Sequence, residues 1–455
     1  MTTVPAPRRA TQSPTAMTVA DTHRVGIWWA TGRIGRLALA MMLAETTLLL
    51  AGIGLSTASG GAGIVGTDFV AYFTAAVLLV QGQGVAMFDA AQQATVQQPI
   101  VEGAGLTWPG LINFINPPLL AAVVAPLTPL GLRGAALAWA AVNLFGSAAI
   151  LAWITIQFRR DRAPLAGCLL LLGFAPFLEG WYFGQMLALL LLAFGGWLAL
   201  SRAHRPFAAG LALSLLLLKP QYAPFTLIYL AWKRQWRQLA GFAAGGVGQL
   251  ALTLWIVLPG LLARGELGIE ALRPYFAFGG TQSNVLVDFQ LNLRGLVWHA
   301  LPGADSTIQL VVLAIASIAV LALLLTWAGR GWDPVSPAFG WEALALFTVV
   351  PVTAFHNNAL QLYLLIGPLA AIFTDDVARR MLPRWIREGL GALLLIPAIG
   401  IVLGAVGSQY GYYLCAWLAA LLAITLGVAG RRIALSEKET MEALLAPAQQ
   451  DRAVS

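Results

Sequence analysis

Between residues 37 and 429 the chain returns repeatedly to apolar runs about as long as a bilayer is thick, separated by short polar turns. The runs fall near 37–57, 134–157, 164–178, 183–200, 206–218, 221–232, 238–259, 306–328, 340–355, 359–373, 388–406 and 411–429. A hydrocarbon core about 30 Å thick takes about twenty helical residues. Soluble domains carry charge on about a quarter of their residues; here the share is 10%, too little to cover a water-facing surface on 455 residues. The chain reads as an all-α polytopic membrane protein of about twelve spans.

Basic residues mark the sides. They cluster as "RRDR" at 159–162, "RAHR" at 202–205, "KRQWR" at 233–237, "RR" at 379–380, "RWIR" at 384–387 and "RR" at 431–432. With Arg8, Arg9, Arg24, Arg33 and Arg36 on the cytoplasmic side, all these clusters are cytoplasmic only if "NPPLLAAVVAPLTPLG" at 116–131 makes no net crossing. Proline brackets and interrupts that run, which is expected to be re-entrant or interfacial, a form tolerated where protein rather than lipid surrounds the backbone. Arg133 is then the one exception to the positive-inside bias. Residues 1–33 read as a disordered cytoplasmic tail, 34–432 as the transmembrane domain and 433–455 as a second cytoplasmic tail; the first run reads as a signal anchor.

A net charge of +7 in such clusters is topology, not a nucleic-acid surface, so no nucleic acid is expected as a partner. Cys168 and Cys415 lie in apolar runs and read as buried small hydrophobes. There is no GxxxxGK[ST], HExxH or GxSxG, which argues against a P-loop NTPase, a zinc protease and a nucleophile-elbow hydrolase. No carboxylate cluster suited to a metal stands out, and no cofactor is expected.

The same side accounting sends the polar interruptions to the other face: the loop 58–115, "EGWYFGQ" at 179–185, "KPQ" at 219–221, the long loop 260–305 and "HNN" at 356–358. Asp68 opens the helix predicted from "FVAYFTAAVLLV"; it can cap that helix or serve as a general base. Lys219 can snorkel to the interface or hold a phosphate as a point charge. His356 can be a hydrogen-bonded interior residue or a donor to phosphate or sugar, with Asn357 beside it. Arg294 and Asn292 can be solvated loop groups or ligands for phosphate and hydroxyls. Glu179 and Gln185 can be helix-end polar groups or sugar-binding groups. Trp108, Phe114, Trp181 and Tyr182 read as interface aromatics. Glu45, inside the first span, is the residue that best suits a rival class, a transporter or flippase of lipid-linked sugars. That class should show internal repeats, and none is evident.

Taken together the motifs resemble glycosyltransferase family 87. "GTDFVAYFTAAVLLVQGQGVAMFD" resembles its first-loop motif, with Asp68-Phe69, Tyr72-Phe73, Gly82 and Phe88-Asp89 in the matching places. "FINPPLLAAVVAPLTPLG", with Asn116 before Pro117 and Pro118, looks like its aromatic-x-Pro-Pro segment. "GQMLALLLLAF", "LLLKPQYAPFTLIYLAWKRQWR", "NLRGL" and "FHNNALQLYLLIGPL" follow in the family's order, and the resemblance runs from about Arg36 to Pro368. It implies a GT-C-like helical bundle with loop helices on the non-cytoplasmic side. It also implies an inverting hexosyltransferase, α-mannosyltransferase-like, that takes sugar from a polyprenyl-phosphate donor to a lipid or envelope-glycan acceptor. The expected roles are Asp68 as base; Lys219, Arg294 and His356 on the donor phosphate; and Tyr72, Asn116, Glu179, Gln185, Gln221, Asn292 and Asn357 on sugar or acceptor. The expected setting is the bacterial inner membrane, with membrane lipids around it and the active site on the periplasmic face. A ligase moving whole glycan chains shares this fold class.

Overall fold

The structure, a computed structural model, describes Trp28, Ala30 and residues 32–158, 168–264, 290–354, 357–375 and 382–454, with side chains at all of these except 263, 264, 438 and 440–454. Among the described residues it is helical, apart from one isolated antiparallel bridge between Gln290 and Asn358.

In chain order the helices are α1 (Arg33–Ala58), α2 (Thr67–Val80), α3 (Ala90–Gly103), α4 (Pro118–Val124), α5 (Gly131–Phe158), α6 (Ala175–Tyr182), α7 (Leu187–Arg202), α8 (Pro206–Leu213) and α9 (Ala223–Trp232). They continue with α10 (Trp236–Arg264), α11 (Leu293–Ala300), α12 (Ser306–Ala328), α13 (Ala338–Thr353), α14 (Ile366–Thr374), α15 (Arg384–Ala405) and α16 (Gln409–Val454). Short 3-10 segments extend several of them: Ser214–Leu218 continues α8, and Ala359–Leu365 leads into α14.

Two populations of helix share this bundle. Six stretches are long and apolar enough to cross a membrane: Arg33–Ala58, Pro118–Phe158, Trp236–Leu262, Ser306–Ala328, Arg384–Ala405 and Gln409–Glu437. These keep much of their apolar surface outward. In α12 only 11% of the most apolar window is buried, and Trp255 on α10 is 76% exposed. In water such faces would drive aggregation; in hydrocarbon they match the solvent. The second population is short and hidden. Every residue of α13, α14 and Ala359–Leu365 is buried, and so are most of α7. A helix apolar on all sides must be covered on all sides, and these pieces form the packed centre.

Of the about twelve spans expected, six reach membrane-crossing length by themselves among the described residues, and the others are shorter. Proline and glycine supply the reason. Pro176, Pro206, Pro220 and Pro224 each sit at the first turn of a helix or 3-10 segment, where a missing N–H costs nothing. The runs they interrupt break into pieces of 8–16 residues. The proline-rich run 116–131 forms α4, a 3-10 turn Ala125–Leu130 and the start of α5, with α4 packed on α2 and α10.

One end of the bundle gathers the basic residues. Arg202 donates to the carbonyls of Gln157 and Val335, each at 2.9 Å. Lys233 donates to the Ala328 and Gly331 carbonyls and pairs with Glu342 at 2.6 Å. Arg431 pairs with the same carboxylate at 3.0 Å, and the Tyr229 hydroxyl donates to it at 2.5 Å. Two cations and a phenol on one buried carboxylate bind α9, α13 and α16 together.

Arg133 sits at the opposite end and is fully occupied. It donates to the carbonyls of Ala104, Gly61 and Gly60 at 2.8, 2.7 and 2.9 Å. It thus clamps the end of α3 and the loop that leads to Asp68, so its departure from the positive-inside pattern has a structural cause. Arg133→Met is expected to destabilise the protein by about 1–3 kcal/mol, the worth of charge-assisted bonds to otherwise orphaned carbonyls. Thermal unfolding in detergent measures this, and an unchanged melt would refute the clamp.

Candidate active site

Three helix breaks converge at the end remote from the basic cluster. Asp68 lies in the first turn of α2, Gln185 in the turn between α6 and α7, and Lys219 at the break between the α8 segment and Pro220. Lys219 precedes a proline, which disfavours helical backbone, and its φ of −130° and ψ of 77° end the run there.

Asp68 does not cap α2. Gly66 is the N-cap, and the Asp68 carboxylate accepts a short hydrogen bond from the Gln185 amide nitrogen. The Gln185 amide oxygen accepts in turn from Lys219 Nζ at 3.0 Å. Lys219 therefore points inward, not out to an interface. The result is a relay of carboxylate, amide and ammonium in which the amide is oriented by both charges.

Backbone packing sets its geometry. The Asp68 N–H donates to the Phe183 carbonyl at 3.1 Å. A Cβ on Gly66 would lie 2.2 Å from the Phe183 carbonyl carbon. Gly184 has φ +77°, and its Cβ would meet Phe69 Cβ at 2.6 Å. Only glycine at both places lets α2 seat against the turn that carries Gln185. Trp139 Nε1 fixes that turn by donating to the Gly184 carbonyl at 2.9 Å. Gly66→Ala must push the first turn of α2 outward, and turnover should fall on the order of ten- to a hundredfold. A variant with wild-type turnover would show that the seating does not set the chemistry.

Burial raises the Asp68 pKa above the ordinary aspartate value, and the nearby Lys219 charge and the Gln185 bond draw it part of the way back. Burial lowers Lys219 to about 8. A carboxylate held above its usual range is a better proton acceptor near neutrality. Tyr72, one turn beyond Asp68, is buried between the Phe114 and Trp139 rings, each 6.4 Å away. Burial and the Asp68 charge both raise its pKa, so its phenol stays protonated.

Asp68 lines a cavity of about 870 Å3. Glu179 lines it too, accepting from the Tyr412 hydroxyl at 2.8 Å, and burial raises Glu179 to about 7. The other walls come from Glu45, Leu48 and Leu49 of α1, Asn358, the end of α15, and Gln409 and Tyr412 of α16. From the sequence Glu45 suits a transporter, and nothing there brings the last two spans to the site. No local pattern marks Tyr412; its place comes from α16 returning beside α15.

The remaining expected residues are placed as follows. Asn357 accepts from the Tyr222 hydroxyl at 2.6 Å and donates to the Leu291 carbonyl at 3.1 Å, tying residues 290–291 to the strap before α14. Asn292 is the N-cap of α11, its side chain accepting from Gly295 N at 2.7 Å. Arg294 is buried, with its guanidinium 5.9 Å from the Trp298 ring centre. Asn116 and Gln221 are half-buried beside Pro117 and Pro220. None of Asn357, Asn292, Arg294, Asn116 and Gln221 lines the cavity with Asp68. His356 lies outside the described residues. Among the described residues no group of three or more His, Cys, Asp or Glu is placed to hold a metal ion.

The glycosyltransferase family 87 model matches residues 114–353. Glu179, Gln185 and Lys219 fall within that segment, and Asp68 lies upstream of it. No curated protein and no solved structure matches the chain.

Proposed function

The chain belongs to glycosyltransferase family 87, and on that premise we propose that it moves a hexose, mannose by family resemblance, from a polyprenyl-phosphate donor to a lipid-linked or envelope-glycan acceptor. The observation that carries the reading is the relay itself: a carboxylate of raised pKa on a cavity wall, joined through one amide to a buried ammonium.

In this reading Asp68 takes the proton of the acceptor hydroxyl as its oxygen attacks the anomeric carbon. The bond from that carbon to the phosphate oxygen breaks, and polyprenyl phosphate leaves. One displacement inverts the configuration, so a β-linked donor gives an α-linked product. Lys219 balances the negative charge that grows on the departing phosphate; Arg294 and His356 are assigned the same task. Tyr72 packs one turn from the base, Gln185 holds it, and Glu179 meets hydroxyls, with Asn116, Gln221, Asn292 and Asn357 shaping the surroundings. The long helices let the donor chain remain in hydrocarbon while its sugar reaches Asp68, which supplies positioning.

The shorter helices α6, α7, α8, α9, α13 and α14 are taken to cross between the six long stretches, for about twelve passes, and α2 is taken as part of the outer loop 58–115. The polar end is taken to face the periplasm of a bacterial inner membrane, opposite the basic end.

The test is a proteoliposome assay with a radiolabelled polyprenyl-phosphate hexose. Label recovered on an acceptor supports the transferase. Intact donor carried across the bilayer, with no label on any acceptor, would instead identify a flippase.

A further inference from the structure

The cavity carries three carboxylates on its wall, from Glu45, Asp68 and Glu179, and among the described residues no Lys, Arg or His lines it. Two of these groups are spoken for: Asp68 by Gln185 and Glu179 by Tyr412. Glu45 is different. Both of its carboxylate oxygens are buried and have no hydrogen-bond partner, and the buried Asn358 amide oxygen on the same wall has none either. An unpaired buried acceptor is costly, and Glu45 and Asn358 both line this cavity, so an O–H or N–H group brought into it is the partner within reach.

Depth agrees with this. Gly35 of α1 packs on Gly391 of α15 near the basic end, and both helices run from that end toward Asp68. Ten residues further along each helix are Glu45 and Ile401, which both line the cavity. Leu48 and Val402 complete that side and are themselves 71% and 48% exposed on the outer faces of long apolar helices. The cavity thus joins hydroxyl-seeking oxygens to a wall that opens on hydrocarbon.

Building on the transferase reading above, we infer that this cavity is the acceptor site, that Glu45 and Asn358 bind acceptor hydroxyls, and that the acceptor is an uncharged, hydroxyl-rich headgroup on an apolar stem. The donor's phosphate is assigned to Lys219, which does not line this cavity. A second anion beside the Asp68 carboxylate, with no cation lining the cavity among the described residues, is disfavoured by like-charge repulsion. Glu45 is a specificity-determining residue in this arrangement, and proton transfer remains with Asp68.

The experiment uses the full chain in phosphatidylcholine nanodiscs, with hexyl β-D-glucoside as the neutral probe and hexyl phosphate as the anionic one; empty discs give the baseline. Wild-type protein should bind the glucoside, and hexyl phosphate, which the donor phosphate site can take, should not displace it. Glu45→Ala should weaken glucoside binding about tenfold, the worth of a lost bond to a charged group. Glu45→Gln keeps the shape and one acceptor and should fall between them, which guards against a folding artefact. In the transfer assay Glu45→Ala should raise the acceptor KM and leave the donor KM unmoved. Equal glucoside binding by wild type and Glu45→Ala, displacement of the glucoside by hexyl phosphate, or a rise confined to the donor KM would each overturn the inference. Glu45-dependent glucoside binding without transfer from any polyprenyl donor would sink the transferase reading and leave the hydroxyl-binding cavity standing.

Discussion

Asp68→Asn is expected to lower turnover by about 10²–10⁴, the usual contribution of a positioned general base, with little change in either KM. The substitution is close to isosteric, and an asparagine oxygen still accepts from the Gln185 amide that Asp68 meets now. The seating of α2 on the Phe183 carbonyl does not involve the side chain. Loss of rate would then report the chemistry, not the fold. The pH dependence adds a second reading. As pH falls through the raised pKa of Asp68 the carboxylate takes a proton and can no longer accept one, so the wild-type rate declines on the acid side. In the asparagine variant that acid limb should vanish. A folded variant with undiminished turnover would remove Asp68 from the mechanism.

Lys219 is expected to set the opposite limb. Its pKa is lowered by burial to about 8, so the wild-type rate should fall as pH rises through that value and the ammonium becomes a neutral amine. Lys219→Arg keeps the charge far above that pH and should carry the basic limb upward, at some loss of geometry. Lys219→Met removes the charge at every pH, and the rate should drop on the order of 10²–10³, the scale of a lost electrostatic stabiliser. It also takes away the charge that lowers the Asp68 pKa, so its acid limb should move to higher pH. The two effects share one relay and should not add when Asp68→Asn and Lys219→Met are combined. A basic limb that stays near 8 in the arginine variant would exclude Lys219 as its source.

Both ends of the bundle could be read from the order of polar and basic segments, because hydrocarbon leaves a chain few places for either. That order located Asp68, Glu179, Gln185 and Lys219 at one end before any contact was known. Their connection was not readable: the relay depends on where α2 lands on the turn at Phe183, and Gly66 and Gly184 look like any other turn glycines until that approach is seen. Lys219 looked able to snorkel because its partner Gln185 is 34 residues away. Glu45 stood out as a charge in a span, yet periodicity says nothing about which neighbour a helix face meets. Only the parallel packing of α1 on α15 puts it on the cavity wall. The apolar runs 206–218, 340–355 and 359–373 lie close to the segments Pro206–Leu218, Ala338–Thr353 and Ala359–Thr374; what a hydropathy run does not record is the passage into 3-10 turns inside two of them. Arg133 was counted as a topological exception and is a clamp on three carbonyls.

The central claim is a single displacement at the anomeric carbon, driven by a hydroxyl whose proton passes to residue 68. The anomeric configuration of the product, read by NMR from its one-bond carbon–proton coupling after transfer from a donor of known β configuration, tests this most directly. The account predicts an α-linked product. A β-linked product would require a covalent sugar–enzyme intermediate or a second displacement, and would contradict it.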